Sequence, residues 1–313
     1  LQQMPLLVYL GVIALLTVGM TYGLVRVAYH SGVHNLWLVL LTLLLLLATS
    51  QLAQGLVNWL ATLLITPTSL PRLDFSAGIP AHYRTLVVIP TLLSSLKGID
   101  ELLEDLEVRF LANQDENLHF ALLTDFKDAK QAVTPADNSL LTKAKEGIEL
   151  LNDKYAGGKA DRFFLLHRPR QWNSQEQIWM GYERKRGKLA DLNALLRGHT
   201  SADTFALIVG NTHCLPEVQY VITLDTDTQL PRDAAYQLVG TIAHPLNRAR
   251  FDANKQRVVD GYSILQPRVG VSLSGSNRSR YARLHSQDAG LDPYTRAISD
   301  VYQDIFAEGS FIG

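Results

Sequence analysis

The first 65 residues contain two long apolar stretches without charged side chains. Residues 5–25 carry no charge over about the length that crosses a lipid bilayer. A second uncharged stretch covers residues 36–65, and a short polar connection that includes Arg26 separates the two. A signal peptide fits poorly, because the first stretch lacks a basic start and is followed at once by another. The pattern therefore predicts an antiparallel transmembrane hairpin over residues 1–65.

Three polar residues recur at helical spacing within the second stretch: Gln51, Gln54 and Asn58. Polar side chains inside a membrane span usually face protein or a polar path, because hydrocarbon cannot hydrogen-bond them. We expect these three to lie on one face of the second helix, turned towards other protein groups.

After a linker at residues 66–84, rich in proline, serine and glycine, short apolar runs alternate with segments of helical period. The predicted strands are residues 85–90, 119–125, 163–167, 220–225 and 264–269, and the predicted helices are residues 98–113, 139–155, 189–198 and 233–244. Such alternation is typical of an α/β domain with a largely parallel sheet. We expect this domain over residues 85–313, with ligands bound at the carboxyl ends of its strands.

Three aspartates fall at such strand ends: Asp125, Asp225 and Asp227. Side chains alternate along a strand, so Asp225 and Asp227 would point the same way. Two carboxylates on one side could hold a hard divalent cation, whereas the simpler interpretation is an acidic turn closed by Pro231. These residues alone leave both interpretations open.

Composition narrows the class of protein. Apolar residues make up 47% of the chain and charged residues 19%, so the chain is expected to fold. The net charge of −1 provides no basic surplus for binding nucleic acid. Cys214 is the single cysteine, which excludes an intrachain disulfide and fits the reducing cytosol.

Five blocks in one order make the sequence recognisable: TLVVIPTLLSS, LEVRFLANQDENLHFALLTDFKDA, LLHRPRQWNSQEQIWMGYERKRGKLADLNALLRG, YVITLDTDTQLP and YQDIFAEGSFIG. Together they resemble the glycosyltransferase part of bacterial cyclic β-1,2-glucan synthases, over residues 85–313. The resemblance implies a glycosyltransferase A-type fold, UDP-glucose as donor and a growing β-1,2-glucan that is later cyclised. It also implies the cytoplasmic (inner) membrane, with the hairpin in lipid and the catalytic domain in the cytoplasm.

The resemblance also assigns candidate roles. Asp225 and Asp227 become the metal and sugar-nucleotide carboxylates, with Mg²⁺ or Mn²⁺ suited to oxygen ligands. Asp125 becomes a nucleotide contact, although an aspartate there could instead cap the next helix. Lys188 and Asn193 match a donor-binding segment, whose basic part we expect just before a helix that begins at Leu189.

The flanking cations Arg184, Lys185 and Arg186 are expected to be supporting charges. Gln266 and Arg268 are candidates for facing the donor. Trp172, Trp179 and Tyr182 could stack on sugars, although such aromatics more often pack in a core.

The last block, residues 307–313, resembles the acceptor side of the family, and its Glu308 is a candidate base. An inverting transfer needs a base for the acceptor hydroxyl, and in related synthases that carboxylate lies further along the chain. With no initiator methionine at Leu1, we expect an internal piece of a larger protein, with the rest of the parent polypeptide as its partner. Two alternatives stay open: a processive cellulose- or chitin-type synthase, and a non-catalytic membrane-tethered nucleotide-sugar-binding or scaffold module.

Overall fold

A computed structural model describes residues 5–64, 69–155, 161–199 and 204–267. Within these ranges the chain forms two compact units. One contains the two apolar helices, and the other runs from Pro71 to Leu265. They are described separately below.

The helical unit is an antiparallel pair. Helix α1 covers Pro5–His30, a tight turn follows, and α2 covers Asn35–Leu64. The hydroxyl of Tyr9 donates to Asn58 Oδ1 at 2.6 Å, and the hydroxyls of Thr21 and Thr49 lie 2.7 Å apart. Asn58 therefore faces the neighbouring helix, as its spacing predicts, whereas Gln51 and Gln54 are exposed.

Both helices have the length and apolarity that a membrane span requires, over Leu6–His30 and Asn35–Ala61. In the most apolar window of each, only 17% and 11% of residues are buried. The core helix of a soluble protein would be mostly buried, whereas a helix surrounded by lipid presents its apolar side chains outward. This exposure supports membrane association of the hairpin.

The second unit is an α/β domain. Its main sheet contains β1 (Thr85–Leu93), β2 (Leu118–Phe126), β3 (Phe163–His167), β6 (Leu207–Val209) and β7 (Tyr220–Thr223), in the order β6-β3-β2-β1-β7. Strands β1, β2, β3 and β7 are parallel, and β6 runs antiparallel to β3. Two small hairpins, β4 (Gln171–Asn173) with β5 (Ile178–Met180) and β8 (Arg250–Asp252) with β9 (Arg257–Asp260), lie outside this sheet.

Helices cover both faces of the main sheet. They are α3 (Leu96–Ala112), α4 (Asp137–Tyr155), α5 (Arg184–Leu196) and α6 (Ala234–Ala243). Alternate strand residues face opposite layers: Val87 and Phe120 pack with α3, α4 and α6, whereas Val88 and Ala121 pack with Leu192 of α5. The predicted α/β class is confirmed, and this mixed, mainly parallel sheet is consistent with a glycosyltransferase A-type domain.

Three predictions about the segments that carry candidate residues are wrong. Helix α5 begins at Arg184 rather than Leu189, so the basic segment forms its first turns instead of preceding it. Strand β7 ends at Thr223, which places Asp225 and Asp227 in the following turn. Residues 264–267 form no strand, so Gln266 does not lie on one, and Arg268 lies outside the described residues.

Candidate active site

Asp125 lies at the carboxyl end of β2, and its carboxylate is buried in a network of charges. Its residue exposure is 1%. Arg168, which follows β3 directly, donates from Nε to Asp125 Oδ1 at 2.9 Å and from Nη2 to Oδ2 at 3.0 Å. Two parallel bonds of this kind orient a carboxylate as well as neutralising it. The next helix begins at Asp137, so Asp125 does not cap it.

Lys188 reaches the same carboxylate from α5. Its Nζ lies 3.0 Å from Asp125 Oδ2 and donates to the Thr91 carbonyl at 2.7 Å. The side chain is almost fully buried, and burial lowers the pKa of Lys188 although Asp125 opposes that shift. Lys188 is therefore engaged inside the protein, and a contact with the donor diphosphate stays a prediction.

Arg168 also fastens the beginning of α5. It donates to Asp191 Oδ2 at 2.6 Å and to the carbonyl oxygens of Tyr182 and Arg184 at 3.1 Å and 3.3 Å. Burial alone would lower the pKa of Arg168, but the carboxylates of Asp125 and Asp191 hold it above its usual value. Two cations thus face two carboxylates, as a buried ionic network requires.

Two glycines permit this close approach. A Cβ atom at Gly181 would lie 2.4 Å from Asp125 Oδ2, and one at Gly187 would lie 2.0 Å from the Tyr182 carbonyl oxygen. Gly187 therefore sits inside the first turns of α5 because the helix meets the preceding chain there. A larger residue at Gly181 would displace Asp125, and one at Gly187 would displace the Tyr182 carbonyl that accepts a hydrogen bond from Arg168.

Asp225 and Asp227 are exposed in the turn after β7. The Thr228 N–H donates to the Asp225 carbonyl at 3.0 Å and closes this turn. Strand alternation therefore does not determine where the two carboxylates point. The Nζ of Lys185 lies 2.5 Å from Asp225 Oδ1, and both side chains are more than half exposed.

Helix α5 contacts both acidic parts of the site, Asp125 and Asp225. Lys185 and Lys188 are three residues apart, so they lie on the same side of the helix and reach Asp225 and Asp125 respectively. Asn193 is exposed and lies about 140° further round the helix than Lys188. The structure thus brings together Asp125, Lys188 and, through Lys185, Asp225, whereas Asn193 faces elsewhere.

The two arginines that bind buried carboxylates at the carboxyl edge of the sheet were not identified from the sequence. Arg168 and Arg170 follow an apolar strand, and a charged pair in that position predicts buried partners. Arg170 is buried and donates to both carboxylate oxygens of Asp137, at 2.6 Å and 3.0 Å. Burial alone would raise the pKa of Asp137, but hydrogen bonds from Arg170 and Thr134 lower it to about 2.

The turn after β7 is held by α3. Arg109 is 2% exposed and donates to the carbonyl oxygens of Thr226 and Thr228. Asn113 donates to the carbonyls of Leu230 and Pro231. The available signal was a cation and an amide four residues apart on the apolar face of a helix.

The three aromatics considered for sugar stacking, Trp172, Trp179 and Tyr182, lie on or beside the hairpin of β4 and β5. The rings of Trp172 and Trp179 are 5.7 Å apart across β4 and β5, and Trp172 and Tyr182 are exposed. Glu308 lies outside the described residues, so its role as a base stays a prediction.

No family model matches the chain. The chain is 47% identical over 277 residues to the cyclic beta-(1,2)-glucan synthase NdvB of Rhizobium meliloti (strain 1021), an alignment that covers 88% of this chain. The chain is similar to a segment of that synthase. The resemblance seen in the sequence is thereby confirmed, while the aligned segment spans only 10% of the length of the relative.

Proposed function

We propose that this chain is the glucosyltransferase segment of a membrane β-1,2-glucan synthase that uses UDP-glucose with inversion at the anomeric carbon. The observation that carries the proposal is the 47% identity over most of the chain to a segment of a cyclic beta-(1,2)-glucan synthase. An α/β sheet with exposed carboxylates beside its carboxyl edge supports it, because ligands of such folds bind there. Attack by a glucan 2-hydroxyl, followed later by cyclisation, would give the product.

The geometry supports a division of the donor site. Asp125, Arg168 and Lys188 form a buried ionic cluster at the carboxyl edge of the sheet, and we place the nucleoside against this cluster. Asp225, Asp227 and Lys185 lie in the open, and we place the diphosphate beside them.

A divalent cation fits this arrangement only in part. Among the residues that the structure describes, no group of three or more His, Cys, Asp or Glu side chains could hold a metal ion. Asp225 and Asp227 could supply two oxygen ligands, and the donor phosphates would have to supply others. Bound there, Mg²⁺ or Mn²⁺ would neutralise charge on the departing UDP.

Product linkage tests the function. The full-length protein, purified in detergent, is supplied with UDP-glucose and Mg²⁺ or Mn²⁺, and the polymer is analysed by methylation. We expect 2-linked glucose. A 4-linked product would replace this proposal with a cellulose-type synthase, and binding of UDP without any transfer would indicate a non-catalytic module.

Orientation is tested separately by thiol labelling. We propose that the α/β unit lies on the cytoplasmic side of the inner membrane, where nucleotide sugars occur. In a Cys214→Ser background, Ser31→Cys in the turn between α1 and α2 should react with an impermeant reagent added outside. Ser76→Cys should react only after permeabilisation. The reverse pattern would contradict UDP-glucose as donor.

A further inference from the structure

The turn that carries Asp225 and Asp227 is supported by a buried arginine from another element. Arg109 donates from Nη2 to the carbonyl oxygens of Thr226 at 2.7 Å and Thr228 at 2.9 Å, and from Nε to Thr228 at 3.1 Å. These two carbonyls belong to the residues on either side of Asp227. The guanidinium therefore fixes the backbone on both sides of one candidate ligand.

Asn113, one turn later at the C-cap of α3, fixes the end of the same segment. Its Nδ2 donates to the carbonyls of Leu230 at 3.2 Å and Pro231 at 3.1 Å, and its Oδ1 accepts the N–H of Ala235 at 3.0 Å. One face of α3 thus holds the segment from the turn to the beginning of α6.

A neutral side chain, that of Asn113, holds the neighbouring backbone at Leu230 and Pro231. Burying a guanidinium is more costly, since it gives up hydration for carbonyl partners. Burial lowers the pKa of Arg109, while the negative charges of Asp105 and Asp227 oppose that shift. A cation in this position adds two properties: a planar fork that sets two carbonyls at once, and positive charge behind Asp227.

We propose that Arg109 is a positioning residue of the donor site, which holds the Asp225–Asp227 turn in the shape that receives a diphosphate and its divalent cation. The inference rests on the proposed function and assigns a further residue to the same site. Arg109 acts through the backbone of Thr226 and Thr228 and through its charge, without touching the donor.

Calorimetric titration of UDP into the full-length protein in detergent, at several Mn²⁺ concentrations, tests this role. We expect Arg109→Met to weaken Mn²⁺-dependent UDP binding about tenfold or more, as for loss of a charge-assisted hydrogen bond. Arg109→Lys should fall between Arg109→Met and the unchanged protein, because it keeps the charge and loses the fork. Both should require more Mn²⁺ for half-maximal binding.

Asn152→Ala is the matched control for lost stability. Asn152 is buried on α4 and bonds to the backbone of Arg162 and Phe163, at the beginning of β3 and away from the carboxyl edge. It should lower the unfolding temperature without changing the Mn²⁺ requirement. Arg109→Lys serves as the deciding variant should Arg109→Met fail to fold.

The outcomes separate the two proposals. Absence of Mn²⁺-dependent UDP binding by the unchanged protein would overturn the proposed function together with the role of Arg109. Binding by the unchanged protein, with the same affinity and Mn²⁺ requirement in the folded Arg109 variants, would overturn the role of Arg109 alone.

Discussion

The two acidic parts of the candidate site differ in how their charges are neutralised. Asp125 is almost fully buried and has two cations within hydrogen-bonding distance, Arg168 and Lys188. Asp225 and Asp227 lie in an exposed turn, where Asp225 pairs with an equally exposed Lys185. Buried carboxylates need fixed partners, whereas water can solvate exposed ones.

This difference implies that Asp125 serves mainly stability and that Asp225 serves mainly donor binding. An exposed ion pair is worth at most about 1 kcal/mol, so Asp225 can exchange Lys185 for a ligand at little cost. Separating Lys188 or Arg168 from Asp125 would leave a buried charge without its partner, which is strongly unfavourable. We therefore expect changes around Asp125 to lower stability and, through it, to disturb the nucleoside site, whereas changes around Asp225 should affect donor binding without a loss of stability.

The largest effect on glucosyl transfer is expected at the two exposed aspartates. Asp225→Asn or Asp227→Asn should lower glucosyl transfer by roughly a hundredfold or more, because the charge that develops on UDP loses its support. The unfolding temperature and membrane insertion should stay unchanged, since exposed substitutions seldom alter stability. Radiolabelled glucan synthesis measures the first and a thermal melt the second. Near-normal transfer by both variants would remove these residues from the site.

The buried pair should show the opposite behaviour. Arg168→Met should lower the free energy of unfolding by about 3–5 kcal/mol, because Asp125 and Asp191 both lose a partner. Lys188→Met should cost less, since Arg168 still binds Asp125 through two hydrogen bonds. Denaturant unfolding in detergent provides the comparison. An Arg168→Met protein as stable as the unchanged one would show that the cluster does not hold the fold.

Acid should lower the stability of the folded domain, because two buried histidines would have to accept protons. Burial lowers the pKa of His167 and of His119 from 6.5 to about 4. The unfolded chain therefore binds more protons than the folded protein between these values, so stability is complete above about pH 6.5 and falls as pH decreases towards 4. Each histidine accounts for up to about 3 kcal/mol across that window.

Substitution of His167 measures this effect. His167→Gln should flatten the decrease in unfolding temperature between pH 6.5 and pH 4, whereas the same change at exposed His213 serves as the control. If the unfolding temperature of His167→Gln decreased with pH as steeply as that of the unchanged protein, His167 would not be a source of the acid sensitivity.

The elements of this domain could be predicted because their signals are local. Strand residues 163–167 match β3 at both ends, and the apolar positions Ile99, Leu106 and Phe110 place α3 correctly. The short hairpins escaped notice because three-residue strands leave almost no periodic pattern. Strand β6 is equally short, so nothing in its sequence indicates that it runs antiparallel.

The site was predictable only as far as residue type at a strand end reveals it. Asp125, Asp225 and Asp227 were found this way, but their burial depends on partners far along the chain. Arg168 meets Asp125 across 43 positions, and Arg109 meets Thr226 across 117. Gly187 lies inside α5 rather than before a helix that begins at Leu189, and only the structure shows the carbonyl of Tyr182 against it. Contacts of this kind follow from topology, which a single sequence does not specify.

The smallest effect concerns the lysines of α5, for which the sequence predicts that Lys188 contacts the diphosphate and Lys185 only supports it. The structure favours the reverse order, because Lys188 is occupied by Asp125 and Thr91 while Lys185 lies exposed beside Asp225. Lys185→Ala should weaken UDP binding about two- to fivefold, since an ionic contact exposed to water is worth at most about 1 kcal/mol. Its unfolding temperature should not change.

Arg186 provides the matched control within the same turn, because it is exposed and pairs with Glu183 rather than with the candidate site. Arg186→Ala should leave UDP affinity unchanged, so any loss in Lys185→Ala cannot be ascribed to the general charge of the segment. Lys188→Ala should have a larger effect on the unfolding temperature than on UDP affinity. Calorimetry with Mn²⁺ present, paired with thermal melts of the same samples, separates the two quantities. A Lys188→Ala protein of normal stability that binds UDP more weakly than Lys185→Ala would restore the order predicted from the sequence, and the contrast between a structural and an exchangeable half of the site would fail.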